Sequence, residues 1–531
     1  MFGRAPRASR GAPYVTPRRK NAPEAATALR TASYRRSVRL SRSRLLVLCT
    51  VGVVGAVAVA ASSCGQPTPS PHAPAPASTT SPTASPTQAT PPVTPTGDFS
   101  AVTRLVDDDV GAGRLPGAVV QIGHAGTIVF REAFGSRKLD GEPGLDGAPA
   151  PAEPMTDDTV FDLASLTKSI ATTTAVLQLY EQGKIRLDEP VQTYLPDFNP
   201  TDDPRRARVT LRMLLTHTSG IAGDLSLDGP WGLTEADKAE GIKRALAAWV
   251  VFEPGAMFHY SDIGFIILGA LVEKITGEPV DRYVREHVFA PLGMSDTYYL
   301  PAAKACGPHQ IRGNALVFDP DGTREENCPA GSWSTDLLTR IAPTALDEDT
   351  PGINPHFGLP LRGTVHDPTA RRMGGVAGSA GVFTTVHDLG LFAQALLDRR
   401  AGRPSAFPLQ QSTVELMTTP QQPGHHAGQV DAANAADARL GPHYPAIEGQ
   451  DLRGFGWDID TAHSRPRGTV FPVGSFGHTG FTGVSLWMDP GSDTYVIILA
   501  NVIHRRGGPP ITTLAGDVAT ETARALHLYG T

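Results

Sequence analysis

The chain has 531 residues, of which 40% are apolar and 19% charged, a balance that suits a globular protein with a sizeable core. Charge separates along it: residues 1–44 carry twelve basic side chains and one acidic one, net +11, so the overall −6 leaves −17 for everything after them. That acidic bulk excludes a nucleic-acid partner, because phosphate recognition needs a basic face and the only basic block sits in front of an apolar run.

In chain order, that run is Leu45–Ala61 (LLVLCTVGVVGAVAVAA), seventeen uncharged residues behind Arg35, Arg36, Arg39, Arg42 and Arg44. A basic region followed by an apolar one is the pattern of an export signal, and the length also meets the lower limit for an uncleaved membrane anchor. Ala61-Ser62-Ser63-Cys64 resembles a bacterial lipoprotein cleavage site with Cys64 as the residue to be acylated, although Leu is usual at its first position. Arg35-Arg36 loosely resembles a twin-arginine signal. Residues 1–66 therefore read as a basic arm with an export signal or anchor, and the mature chain as extracytoplasmic, membrane-attached or secreted. Residues 67–97 are nearly all Pro, Thr, Ser and Ala and read as a disordered tether. Residues 98–531 form the folded domain, with Cys306 and Cys328 either closing a disulfide or standing as two thiols, since sequence does not place their Cα atoms.

The domain opens with Gly117–Ile122 and Thr127–Phe134, two β-branched and aromatic runs joined through His124-Ala125-Gly126, which predict a hairpin. Apolar residues at Ile170, Val176, Leu177 and Leu179 predict a helix over Ser165–Gln182 with Gly183 as its C-terminal stop. Asp262–Thr276 predicts a buried helix closed by Gly277. Thr482–Met488 and Thr494–Asn501 predict a second hairpin across Asp489-Pro490-Gly491, and Ile511–His527 a closing amphipathic helix. Strands at both ends with helices between imply an α/β (α+β) domain, an antiparallel sheet assembled from distant segments with helices on its faces.

The chemistry starts at Ser165-Leu166-Thr167-Lys168. Three residues apart in a helix, Ser165 and Lys168 share a face, so the amine can meet the hydroxyl, and the helix N-terminus adds backbone N–H groups beside the reacting oxygen. A serine needs such a neighbour to take its proton, and a lysine can do so only if its pKa falls from about 10.4. Alone the pattern is weak. Downstream, Tyr260-Ser261-Asp262 precedes the buried helix and His478-Thr479-Gly480 precedes a strand.

These three motifs, in this order, resemble those of the β-lactamase-related serine hydrolases: class C β-lactamases, penicillin-binding D,D-peptidases and esterases of the same fold. Further segments match in order: Val209–Ile221 (VTLRMLLTHTSGI), Glu253–Gly269 (EPGAMFHYSDIGFIILG), Ala290–Thr297 (APLGMSDT), Gly374–Phe383 (GGVAGSAGVF), Gly454–Trp457 (GFGW) and Gly477–Pro490 (GHTGFTGVSLWMDP). The resemblance implies a β-lactamase/transpeptidase-like fold with a helical subdomain. It implies that Ser165 attacks an acyl carbon while Lys168 and Tyr260 exchange its proton, and that the backbone N–H groups of Ser165 and Phe481 form the oxyanion hole, with Asp262, His478, Thr479 and Gly480 at the substrate. Tyr260 would act as a phenolate or as a hydroxyl bridge, a nearby ammonium favouring its ionised form.

Two departures bear on substrate. His478 stands where most β-lactamases have Lys and is often uncharged at neutral pH, which weakens recognition of a carboxylate by a fixed cation. Asp262 stands where Asn is usual: it either caps the helix, as Asn would, or faces the substrate amide and repels anions. The Tyr-Ser-Asp form, with Val365-His366-Asp367 and Gly374–Phe383, resembles a subgroup linked to muropeptides with weak D,D-carboxypeptidase or muramyl-amide hydrolase activity, although Ser379 replaces a His usual there. The expectation is an exported serine hydrolase acting on cell-wall-peptide-like or small ester substrates. A penicillin-binding sensor without turnover and a true β-lactamase are the alternatives.

Other candidates carry less. His217 lacks a nucleophile-elbow serine to serve and reads as a packed structural residue. His425, His426 and His443 lie in a Gly/Ala/Pro-rich stretch, 421–452, without metal-ligand spacing; the stretch reads as loop that forms a lid or pocket rim, and no metal or cofactor is expected. Phe455, Trp457, Phe481 and Trp487 cluster around the third motif and are candidates to line the pocket, Trp487 equally for the core.

Overall fold

Val119 and Val120 are adjacent in sequence and belong to different hydrophobic cores. Ala118, Val120 and Ile122 point to one face of the sheet, where Val102 and Val106 of the Ser100–Gly111 helix and Leu514, Val518 and Ala519 of the Ile511–Ala525 helix cover them. Val119 points to the other, under Leu389, Phe392 and Leu396 of the Val386–Arg400 helix and the larger helical layer. Side chains alternate across a strand, so a strand buried on both faces reads as a continuous apolar run.

This computed structural model describes residues 93–94, 96–322, 327–504 and 510–531. The expected export signal, Cys64 and the tether up to residue 92 lie outside the described residues. Eight strands form the main sheet, in the order Leu452–Arg453, Asp458–Asp460, Phe476–Gly480, Val484–Asp489, Thr494–Ala500, Gly117–His124, Thr127–Lys138 and Glu153–Pro154. Every neighbouring pair is antiparallel. The two ends of the domain meet in its middle, Ala118 pairing with Ala500 and His124 with Thr494. A large helical layer beside this sheet completes the β-lactamase/transpeptidase-like, α+β architecture.

The first hairpin turns on Ala125 and Gly126 at φ +48° and +78°, a two-residue loop of the kind that matches strand twist, and its strands run on to His124 and Lys138. The second starts at Val484 rather than Thr482, because Gly483 at φ +115° is still in the turn. The closing helix ends at Ala525, two residues before His527 enters the left-handed region. The helix expected over 165–182 is composite: a turn at Ser165, a π-helical segment over Lys168–Thr173, then α-helix over Thr174–Glu181. Wide turns of this kind inside helices cluster at functional sites.

Asp262–Thr276 is one α-helix, buried without interruption from Ile263 to Val272 and ended by Gly277 at φ +73°. Its N-cap is Ser261, whose hydroxyl accepts from Gly264 N–H at 3.1 Å, so of the two readings of Asp262 the helix cap is set aside. Ser261 wins because it holds the extended backbone of a cap, while Asp262 already has helical geometry one residue in. The 375–381 loop packs tightly on this helix: a Cβ on Gly378 would lie 2.1 Å from Phe265 O, so only glycine permits the approach. Cys306 and Cys328 are bonded, with Cα atoms 5.7 Å apart. Among the described residues no helix is long and apolar enough to cross a membrane.

Candidate active site

Ser165 follows a strained turn. Ala164 sits at φ +44°, unusual for a residue with a side chain, and the buried Asp162 carboxylate holds it there by accepting from Ala164 N–H at 2.9 Å and His366 N–H at 2.7 Å. The Phe476–Gly480 strand is fastened to the same turn: Thr482 Oγ1 donates to Asp162 O at 2.6 Å, and a Cβ on Gly480 would lie 2.3 Å from Leu163 O. The glycine of the third motif is thus what lets this strand reach the serine. Phe481, next along, lines the same cavity as Ser165.

Lys168 is fully buried. Its Nζ donates to Ser165 Oγ at 2.9 Å and to Ser379 O at 2.8 Å and touches the Asp262 carboxylate. Burial alone would strip its proton, but the Asp262 carboxylate, with Tyr260 adding, outweighs that and holds the amine well above the usual lysine range. The Tyr260 hydroxyl is buried beside Ser165 and Lys168 without an aligned hydrogen bond to either. Burial pushes it above the usual tyrosine value, with Lys168 opposing and Asp262 adding, so of the phenolate and the hydroxyl bridge the sequence allowed, the hydroxyl is favoured. The resting site holds an ammonium and a neutral phenol.

His217 is the support for Tyr260. Its ring stacks on the tyrosine at 4.3 Å and its Nδ1 accepts from Ser261 N–H at 3.0 Å, with burial holding it neutral. His478 donates from Nδ1 to Thr479 O at 2.7 Å, and burial, with Arg453 and Lys168 nearby, holds it far below the usual histidine value. A neutral imidazole thus stands at the family's usual lysine position, with the Arg453 guanidinium near it on the same wall.

The cavity of about 450 Å3 that contains Ser165 is lined by Tyr260, Asp262, His478, Thr479 and Phe481. Gly480 faces a neighbouring cavity. Sequence reasoning assigned no role to several other lining residues. Asp224 sits beside Asp262 because Gly223 O accepts from Asp262 N–H at 2.8 Å, and burial together with the Asp262 carboxyl pushes it up to about 6. Asp367 is raised by burial and by Asp262, while burial pushes His366 down to about 4. Arg453, Asp458 and His463 complete the wall; sequence reasoning passed over them, although their closeness to Gly454–Trp457 could have drawn attention to them. Asp224, alone on a loop, gave no such signal.

Other expectations are corrected. Phe455 and Trp457 are fully buried in the core, Trp457 against Phe392 and Phe476, and Trp487 is core with its Nε1 on Ser475 Oγ at 3.0 Å, so of the four aromatics only Phe481 is in the cavity. No residue of 421–452 lines the Ser165 cavity. That stretch contains a helix, Gln429–Leu440, which buries Ala433 and ties Asn434 to Val473 at 2.8 and 2.9 Å, so it packs on the domain rather than over the site. His425, His426 and His443 lie outside the cavity. Elsewhere, Glu278, Glu286 and His287 bring their side-chain ligand atoms within 4.8 Å of one another, half-buried to exposed and away from the cavity.

The sequence profile of the beta-lactamase family matches residues 102–519. A protein of Escherichia coli O157:H7 provisionally named D-alanyl-D-alanine carboxypeptidase is 28% identical over 412 residues, 76% of this chain and 81% of that one. The N-acetylmuramyl-L-alanine amidase of Bacillus subtilis strain 168 is 29% identical over 416 residues, 76% of this chain and 80% of that one. The fold of simvastatin synthase from Aspergillus terreus superposes with a TM-score of 0.54 at 23% identity, covering 82% of this chain and all of that one.

Proposed function

The chain belongs to the beta-lactamase family of serine hydrolases, and from that premise we propose that it is an exported enzyme cleaving an amide or ester of cell-wall peptides through an acyl-enzyme on Ser165. The observation that carries this reading is the 2.9 Å contact between Lys168 Nζ and Ser165 Oγ inside a cavity open to substrate. The names of the carboxypeptidase and amidase relatives support the substrate class.

Once Lys168 has released its own proton to solvent, Ser165 Oγ attacks the acyl carbon and gives up its proton to the neutral amine, directly or across the Tyr260 hydroxyl, and the backbone N–H groups of Ser165 and Phe481 receive the developing oxyanion. The same proton passes to the departing amine or alcohol. Water then adds to the acyl carbon, its proton taken by the same groups, and Ser165 leaves as the hydroxyl. Asp262 accompanies every step, because it faces the ammonium that must lose a proton before it can accept one. Attachment of the domain outside the cytoplasm, through residues 1–66 or acylated Cys64, belongs to the same proposal.

Incubation with purified muropeptides, followed by mass spectrometry of products and of the Ser165 peptide, tests it. Turnover with a transient acyl adduct on Ser165 is expected. A stoichiometric adduct with penicillin and no turnover of any peptide or ester would establish the sensor instead.

A further inference from the structure

Beyond the nucleophile's cavity lies a larger one of about 890 Å3, and the two share His366, Pro368, Thr479 and Phe481 in their walls. The rings of His366 and Phe481 stack at 5.8 Å with their planes 24° apart, so a flat aromatic pair stands where the cavities meet. Tyr260, Asp262, Arg453, Asp458 and His463 line the smaller cavity only. That division sets the direction of a substrate. The departing alcohol or amine takes its proton from Lys168 or Tyr260, so it leaves on the Tyr260 side, among these polar groups. The acyl group, on the other side of the same carbonyl carbon, runs past Phe481 into the larger cavity, which lies within the size range of ligand sites.

What that cavity offers an acyl group is apolar. Its charged residues are already engaged: Asp228 accepts from the Ser226 hydroxyl at 2.7 Å, Arg371 pairs with Asp347 at 2.8 Å and Asp349 with Arg372 at 2.7 Å, and Glu348 has a partner of its own. The surface left without a partner is hydrocarbon. Phe481 is 73% exposed and Leu346 44%, with Leu361, Ile503 and Ile511 beside them in the lining. Large apolar side chains left in water inside a cleft mark a binding site, and each methylene buried there is worth about fourfold in a binding or rate constant. We propose that this cavity is an acyl subsite for an aliphatic chain, and that the enzyme hydrolyses medium-chain acyl esters, a substrate class apart from cell-wall peptides. This rests on the acyl-enzyme reading of Ser165 above. Ser165 Oγ bonds to the ester carbonyl carbon as the bond from that carbon to the alcohol oxygen breaks, and the alcohol leaves with the serine's proton, passed on by Lys168 or Tyr260. Water then supplies OH to the acyl carbon and H to Ser165 Oγ, which releases the fatty acid.

The test is a series of p-nitrophenyl esters from acetate to decanoate, each kept below its micelle-forming concentration. In wild type kcat/KM should climb by about tenfold or more from acetate to octanoate. Leu346→Gln, or Ile503→Gln if the first fails to fold, replaces hydrocarbon by an amide of similar bulk and should cut the octanoate-to-acetate ratio by about threefold or more, with the acetate hydrolysed as before. A flat series in wild type, or a ratio unchanged in both folded variants, overturns the subsite while turnover of the acetate leaves the hydrolase standing. Acetate esters of ethanol through octanol should show no such climb; a climb with the length of the alcohol would put the leaving group in this cavity and overturn the assignment. Benzoate hydrolysed faster than octanoate would assign an aromatic acid and overturn the aliphatic chain. If no ester reacts, acetate included, the esterase fails together with the reading it rests on, and saturation-transfer NMR with N-methyloctanamide decides the subsite. Binding to wild type that is weakened in Leu346→Gln upholds it, and no binding overturns it.

Discussion

Lys168 Nζ lies between the Ser165 hydroxyl, at 2.9 Å, and the Asp262 carboxylate, which it also touches. The contact that ties the amine to the nucleophile and the contact that keeps it protonated are therefore made by one nitrogen. An amine accepts a proton only when neutral, so the family's usual Asn and the Asp of this chain set different working ranges of pH for the same serine.

Hydrolysis of a neutral ester should rise with pH into the alkaline range, because Lys168 is held above the ordinary lysine value of about 10.4. Asp262→Asn removes the main charge raising it and leaves burial, which lowers it, so the ascending limb of kcat/KM should move to lower pH. Profiles from pH 5 to 10 for both proteins decide this. A uniform loss without a shifted limb would mean that Asp262 itself takes the proton.

Ser165→Ala should abolish ester turnover, since no acyl-enzyme can form, and Lys168→Ala should cost several orders of magnitude in kcat. Circular dichroism should show both folded. Unchanged hydrolysis in the serine variant would remove the mechanism.

What the sequence made legible, and what it hid, follows from how each signal is written in a chain. Asp262–Thr276 was readable to the residue because an unbroken apolar run bounded by a polar start and Gly277 has one meaning. The strands of the first hairpin ran longer than expected because residues such as Ser136 and Lys138 pair in the ladder while their sequence is polar. Ser165, Lys168, Tyr260 and His478 were found because short spacing and order mark them. The direction of the lysine and tyrosine shifts was not, because it depends on Asp262 and on burial in three dimensions. Trp457 and Phe455 misled for the same reason: proximity in sequence to the third motif does not say whether a side chain turns to the cavity or to the core.

His217→Ala should destabilise the domain by about 1–3 kcal/mol, the cost of leaving the buried Ser261 N–H without an acceptor, and should also lower kcat by loosening Tyr260. His217→Gln, which keeps an acceptor but not the stacked ring, should recover more stability than activity. Urea denaturation and ester kinetics on both variants separate the two roles. If kcat is unchanged, the stacking does not position the tyrosine.

Replacing Cys306 and Cys328 by Ser opens a loop of 22 residues and should cost about 3 kcal/mol through the added freedom of the unfolded chain. Neither cysteine lines the Ser165 cavity, so kcat/KM for a small ester should hold at temperatures where the variant is folded. Denaturant midpoints give the first quantity and initial rates the second; a loss of activity in folded protein would show that the loop reaches the site.

Exclusion of β-lactams is where the two departures from the family pattern meet. Asp262 is inside the cavity rather than at a cap, where it pairs with the Lys168 ammonium, and His478 is neutral, so a penicillin carboxylate meets a negative neighbour and, in place of the lysine most relatives supply, only the Arg453 guanidinium, which lies 3.4 Å from the Asp458 carboxylate. Two isolated charges about 4 Å apart interact by roughly 4 kcal/mol at an effective dielectric of 20, and the Lys168 ammonium on Asp262 offsets part of that repulsion. Asp262→Asn also changes the protonation of Lys168, an effect common to all substrates, so the informative quantity is penicillin acylation divided by neutral-ester hydrolysis at the same pH. That ratio should rise for Asp262→Asn and for His478→Lys. In the double variant it should rise by more than either single change gives, since the two residues face one cavity and their effects on an anion couple. Stopped-flow acylation with a fluorescent penicillin across wild type, both single variants and the double variant measures it, and a constant ratio in all four would show that neither residue keeps β-lactams out.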